Sequence, residues 1–202
     1  MYTGVVPGTG RVAASETAGA AHEVRIETNG HAAPEPGDSI AVDGVCLTPT
    51  AVAPGWFEAY LSEETVARTL LADRPVGTAV NLEPPLTLSD GLDGHLVRGC
   101  VETTTELLAA ESRGTGWRYE FAVPDGFAGL LVEKGGVAVD GVSLTVADLV
   151  DTDGRFAVAV VPETRERTTL SEREPGDRVH LEADPVAKYV ARQVQVAGER
   201  TT

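Results

Sequence analysis

The stretch IAVDGVCLTP, residues 40–49, returns as VAVDGVSLTV at residues 137–146. The segments downstream of each copy also match in order and spacing. EETVARTLL (63–71) and VGTAVNLEPPL (76–86) come after the first, and PETRERTTL (162–170) and PGDRVHLEADP (175–185) after the second. Asp43 and Asp140 stand 97 apart, while Glu64 and Glu163 stand 99 apart, so the halves differ by one short loop. The beginnings match too: YTGVV (2–6) resembles VRGCV (97–101), each an apolar stretch broken by a glycine that brings backbone close to something. The chain is therefore two equivalent halves, and duplication alone is compatible with one half being a structural spare.

Its 202 residues suit two domains, each able to bury a modest core without disulfides or metals. Cys46 and Cys100 make no disulfide framework and have no zinc-ligand spacing with the four histidines. The expectation is an intracellular, reduced, cytoplasmic protein. No run approaches the length of a membrane helix, and MYTGVV has no secretory features, so neither membrane nor export is expected. Against 31 acidic residues stand 16 basic ones, a net charge of −15. Such a surface repels a phosphate backbone, which argues against nucleic acid as a partner. The acidic excess resembles that of halophilic proteins, in which salt screens the self-repulsion.

Short apolar runs alternate at period two between turn residues, as in VRIET, WFEAYLS, RYEFAV and RFAVAVV. That pattern predicts strands in antiparallel hairpins. Helical spacing is confined to a turn or two in EETVARTLL and PETRERTTL and to 184–197, where Val186, Val190, Val194 and Ala197 fall near one face behind Asp184 and Pro185. The expected fold is all-β: two tandem homologous six-stranded Greek-key antiparallel barrels, residues 1–91 and 92–185, then a C-terminal α-helix, 186–202. A lone amphipathic helix after two finished domains is expected to pack on another subunit.

The motifs M-Y-T-G-V-V, V-D-G-V-[CS]-L-T (twice), G-H-L-V-R-G (94–99), P-E-T-x-x-R-T-T-L (162–170) and E-A-D-P are spaced and ordered nearly throughout the chain as in one family. The sequence resembles riboflavin synthase of the alpha-chain type, within the lumazine-binding family. That resemblance implies two molecules of 6,7-dimethyl-8-ribityllumazine, one per barrel, with a four-carbon unit passed from one to the other. It also implies a homotrimer with sites between subunits, and no metal or organic cofactor. Two identical substrates would need two similar cradles, which accounts for the repeat.

The resemblance places the reacting carbon near Ser143 and Asp184, with His95 and Lys134 close by and Cys46 at the position equivalent to Ser143. An aspartate before proline is equally suited to cap a helix, and Cys46 and Ser143 also suit a packed strand. Backbone of Gly4, Val5, Val6, Gly99, Cys100 and Val101 can read a flat polar ring rim, since glycine permits close approach. Cys46, Leu47 and Thr48 form the first cradle, and Ser143, Leu144 and Thr145 the second, with Tyr2 at the mouth of the first barrel. Tyr60, Leu61, Ser62, Glu63, Glu64 and Thr65, with Val161, Pro162, Glu163, Thr164, Arg165 and Glu166, align with ligand-contacting loops.

Three departures from the family pattern gather on the first cradle: Cys100 where a second histidine is usual, Tyr2 for phenylalanine and Pro49 for valine. Arg98 also replaces serine. A cysteine cannot serve as an imidazole. The alternative to an enzyme is a non-catalytic lumazine- or flavin-binding protein on the same fold, and Cys46 and Cys100 are expected near one cavity.

Overall fold

Asp43 and Gly44 have φ of 46° and 79°, and Asp140 and Gly141 of 44° and 80°. Two successive left-handed residues make a type I′ turn, whose twist matches that of the strands it joins. Each V-D-G-V is thus the tip of a hairpin.

The computed structural model describes residues 1–18, 21–30 and 34–199. Its amino half runs β1 (Gly8–Ala18), β2 (Ala21–Glu27), β3 (Ile40–Val42), β4 (Val45–Leu47), β5 (Pro49–Ala53), β6 (Trp56–Leu61), helix α1 (Glu63–Arg68) and β7 (Ala79–Glu83). The carboxyl half repeats it as β8 (Thr103–Arg113), β9 (Gly116–Ala122), β10 (Gly136–Val139), β11 (Val142–Val150), β12 (Arg155–Val160), α2 (Pro162–Arg167) and β13 (Arg178–Ala183), followed by α3 (Pro185–Glu199). The carboxyl strands close a barrel in the order β10-β11-β12-β9-β8-β13, with β13 back beside β8 and β10. The amino strands form the equivalent antiparallel sheet, β4-β3-β7-β1-β2-β6-β5.

Seven strands appear in the amino half because Pro49 divides what is one strand, β11, in the other. The equivalent Val146 donates its N–H to Gly135 C=O at 3.0 Å, and proline has no N–H to give. Each barrel then fills itself with apolar side chains: Val24, Ile26, Phe57, Leu61 and Val80 in the first, Leu107, Tyr119, Phe121, Phe156 and Leu181 in the second.

The halves meet about a pseudo-two-fold axis. Tyr2 and Val97 exchange both backbone bonds, at 2.8 and 3.0 Å, and enclose a small shared core with Ala41 and Ala138. At the hairpin tips a Cβ on Gly44 would lie 2.7 Å from Gly141 N, so only glycine allows the contact. Beneath them Asp43 and Asp140, both fully buried, share Arg74 and Arg173. Arg173 grips Asp140 through Nε at 3.1 Å and Nη2 at 2.8 Å, whereas Arg74 reaches Asp43 at 3.3 Å. Burial and the charge of Asp140 push the Asp43 carboxyl up. Burial also works against Asp140, yet Arg173 and Arg74, with the backbone N–H of His180, hold it below its ordinary value. The seam therefore favours the ionised form of Asp140 over that of Asp43. Although Asp43, Asp140 and His180 lie close enough to chelate an ion, two guanidiniums occupy the carboxylates, and their charge disfavours a cation.

Candidate active site

Residues 2–6 and 97–101 run in the seam, each clamped by a buried glutamate from the end of a strand. Glu83 accepts from Thr3 N–H (2.8 Å) and Gly4 N–H (3.1 Å), and Glu182 from Arg98 N–H (2.6 Å) and Cys100 N–H (2.7 Å). Burial raises both carboxyls, against the pull of those N–H donors. The clamps deliver each segment to the opposite half. Gly4 C=O accepts from Ser143 N–H at 2.9 Å, and Gly99 C=O from Cys46 N–H at 3.0 Å. Both glycines have positive φ, 70° and 76°, and a Cβ on either would lie 2.6 Å from the Cβ of its partner. The glycines of the repeated opening motif are thus required twice over, by conformation and by space.

The carboxyl cradle forms around Ser143. Its Oγ lies 2.6 Å from His95 Nδ1 and accepts from His95 N–H at 3.2 Å. Gly136 makes room for the imidazole, since a Cβ there would stand 2.9 Å from its Cγ. Burial lowers the histidine's pKa, opposed by the charge of Asp184. A neutral ring with its hydrogen on Nε2 leaves Nδ1 to accept the serine proton, the geometry of a hydroxyl facing a base. Val5, Gly94, His95, Lys134, Ser143 and Thr145 line a cleft of about 430 Å³, within the range of small-molecule sites. It meets at Gly136 a groove of about 320 Å³ that includes Asp184, Val186 and Val190 of the last helix. Asp184 does cap that helix, accepting from Val186 N–H at 2.7 Å, while its charge reaches His95.

Lys134 has φ of 67°, a conformation that costs a side-chain-bearing residue about 1–2 kcal/mol. The equivalent place in the amino half holds Gly37, at 90°. Lys134 Nζ donates to Ala147 C=O at 3.3 Å. This places it between the cleft and a further groove of about 290 Å³ lined by Trp117, Arg118 and Val161.

The amino cradle is built around Cys46 and Thr48, both exposed on the same face of the chain. Cys46 Sγ accepts from Tyr2 Oη–H at 3.1 Å. Tyr2 is wholly buried rather than at the barrel mouth as expected, because its ring fills the shared core of the seam. Cys46 and Cys100 are both free and exposed thiols, and Cys100 follows the glycine bonded to Cys46. Leu47, Leu144 and Val6 turn into the cores, so only their backbone can meet a ligand.

The two short helices hold the remaining expected residues. Ser62 Oγ caps α1 by accepting from Thr65 N–H at 3.1 Å; Glu63 and Glu64 are exposed in its first turn, Tyr60 is exposed on β6 and Leu61 is buried. Around α2, Val161 and Pro162 open the helix, Thr164 C=O accepts from Thr168, Glu163 pairs with Arg167 and Glu166 faces solvent. Arg165 instead lies over Trp117 at 3.9 Å and donates to Tyr119 Oη at 2.9 Å, tying the helix to the barrel. The sequence reading missed the Glu83 and Glu182 clamps and the Asp–Arg seam. Their signal was in the repeat, since N-L-E and H-L-E recur in register.

The sequence matches the lumazine binding domain family twice, over residues 3–84 and 98–184. It is 41% identical to the riboflavin synthase of Mycobacterium bovis, covering 98% of this chain and all of the relative. The riboflavin synthase of Escherichia coli is 35% identical, over 96% and 92% of the two chains. The chain belongs to the riboflavin synthase family. Crystal structures of LumP complexed with 6,7-dimethyl-8-(1'-D-ribityl) lumazine and with riboflavin superpose with TM-scores of 0.80 and 0.82, each covering 91% of this chain and 99% of that one. At 17% identity, LumP shares the fold with this riboflavin synthase homologue. Among the described residues, no helix is long and apolar enough to cross a membrane.

Proposed function

We propose that this chain converts two molecules of 6,7-dimethyl-8-ribityllumazine into riboflavin and 5-amino-6-(D-ribitylamino)uracil, a transferase reaction that moves a four-carbon unit from one lumazine to the other. The observation that carries the reading is the pair of pseudo-equivalent cradles, at Cys46 and at Ser143, in a chain whose full-length relatives are riboflavin synthases. Each half, 1–91 and 92–185, holds one lumazine, with backbone of residues 4–6 and 99–101 at the polar rim of the ring. The fused ring of the substrate itself delocalises the carbanion formed when a methyl proton leaves, so the protein's tasks are to orient two rings and move protons. Ser143 and His95 serve the carboxyl cradle, Asp184 supports the histidine and Lys134 offers a compact cationic donor.

The second copy needed to bring two cradles face to face comes through α3, in a homotrimer. Val186, Tyr189, Val190 and Val194 leave a row of exposed apolar side chains along that helix, the kind of surface a partner subunit covers.

The test is to incubate the purified protein with 6,7-dimethyl-8-ribityllumazine, with and without molar salt in view of the acidic surface, and to follow riboflavin absorbance and fluorescence. Multiple turnovers are expected. Tight lumazine binding without product would instead make the chain a lumazine- or flavin-binding protein and point to Cys100, which stands where the family has a second histidine.

A further inference from the structure

The two cradles hold equivalent positions with different chemistry. Ser143 faces an imidazole, whereas Cys46 faces a phenol. Burial and the neighbouring Cys46 push the Tyr2 pKa far above the usual phenol range, so the hydroxyl keeps its proton and has it to donate to the sulfur. The contact is built rather than incidental. Tyr2 is 0% exposed, its backbone is paired on both sides with Val97, and its ring lies where a Cβ on Gly99 would come within 2.9 Å of Cε2. Cys46 is fixed by its backbone as well, through the bond to Gly99 C=O. A cysteine side chain otherwise chooses among three staggered χ1 wells; a donor fixed in the core selects the one that puts sulfur at 3.1 Å.

We infer that Tyr2 is a positioning residue for the amino cradle, its hydroxyl holding Cys46 Sγ in one orientation against the ring bound there. The inference rests on the proposed function in that a lumazine occupies this cradle. It gives the departure at position 2 a purpose: phenylalanine would fill the same space among Ala41, Val97 and Ala138 but would leave the sulfur unheld. The amino cradle then offers a sulfur fixed by a donor and the carboxyl cradle a hydroxyl facing a base, so the two bound molecules meet different surroundings.

The experiment is a double-mutant cycle on the full chain: wild type, Tyr2→Phe, Cys46→Ala and the double variant, each assayed for riboflavin formation. One hydrogen bond lost from a positioned group corresponds to about a fivefold to tenfold fall in kcat. That fall is expected for Tyr2→Phe, with KM within about twofold, and no further fall when Tyr2→Phe is added to Cys46→Ala. Equal losses on both backgrounds, or a lowered Tm with kcat unchanged, would overturn the inference. Should the wild type make no riboflavin, the functional reading fails, and the pairing is decided separately by iodoacetamide. On a Cys100→Ser background only Cys46 reports, and a sulfur held in one χ1 well presents itself to the reagent differently from a free one. Tyr2→Phe should then change the alkylation rate by at least about threefold. Equal alkylation rates would dispose of it.

Discussion

Asn81 and His180 occupy equivalent places, 99 residues apart, and tie the halves together by the same pair of bonds. Asn81 Oδ1 accepts from Thr169 N–H and its Nδ2 donates to Asp140 C=O, both at 2.8 Å. His180 Nε2 accepts from Leu70 N–H and its Nδ1 donates to Asp43 C=O, again both at 2.8 Å. Because a backbone N–H can only donate, Nε2 carries no hydrogen and the ring is neutral, with its proton on Nδ1. Asparagine thus acts as the isostere of a neutral histidine, and of this pair only His180 can titrate.

The consequence is a pH dependence that belongs to His180. Burial lowers its pKa, opposed by Asp140, while Arg74 and Arg173 lower it further. A depressed folded value means that the native state binds fewer protons than the unfolded chain. Its contribution is complete above the unfolded histidine value and is lost as pH falls below it. His180→Asn keeps both backbone bonds and removes the titration. The stability of wild type relative to this variant should therefore fall by about 1 kcal/mol per pH unit on acidification below pH ~6.5. Urea unfolding at pH ~7.5, ~6.5 and ~5.5 measures it, and parallel curves would refute it.

The two aspartates of the seam should respond unequally to the same substitution. Asparagine tolerates the left-handed turn at either position, so the hairpins keep their shape. Asp140→Asn removes the charge that Arg173 grips with two bonds and strands buried guanidinium, a loss of about 3–5 kcal/mol. Asp43, pushed up toward the neutral form by burial and by its neighbour, should cost clearly less when replaced by Asn. Chemical denaturation near neutral pH checks the order, and equal losses would place the charge on both residues.

Lys134→Gly should separate stability from function. It releases the left-handed strain carried by Lys134, so the variant should gain about 1 kcal/mol while losing ligand affinity. A thermal scan beside a lumazine fluorescence titration reads both. A variant that is more stable and binds normally would leave the strain at Lys134 without a functional counterpart.

Much of this was legible because the chain states its architecture twice. The periodicity of the apolar runs identified the strands, and the Gly4 and Gly99 motifs marked where backbone comes close. What periodicity cannot show is which half a segment serves. Residues 2–6 read as part of the first barrel, but Glu83 hands Gly4 across to Ser143, and only the closed fold reveals the exchange. In the sequence Asp43 and Asp140 serve only to mark the repeat. Their left-handed turns point the carboxylates inward to the arginines of the seam, and Cys46 and Ser143, proposed above to meet the ligand, lie further along each hairpin.

The Ser143 cradle offers a direct test of chemistry against packing. Ser143→Ala removes the oxygen that sits 2.6 Å from His95 Nδ1 while leaving Gly4 C=O its backbone donor, so binding should survive. If the hydroxyl passes a proton to the ring, kcat should fall by about 10²-fold or more, with KM nearly unchanged. The wild-type acid limb adds a second readout. Burial lowers the His95 pKa, so the neutral ring persists below the ordinary histidine value, and kcat should hold until pH falls under ~6.5. In Ser143→Ala that limb should flatten, because the proton the ring accepts is gone. Equal losses in kcat and binding, with the limb intact, would make Ser143 a packing residue and move the chemistry elsewhere in the cleft.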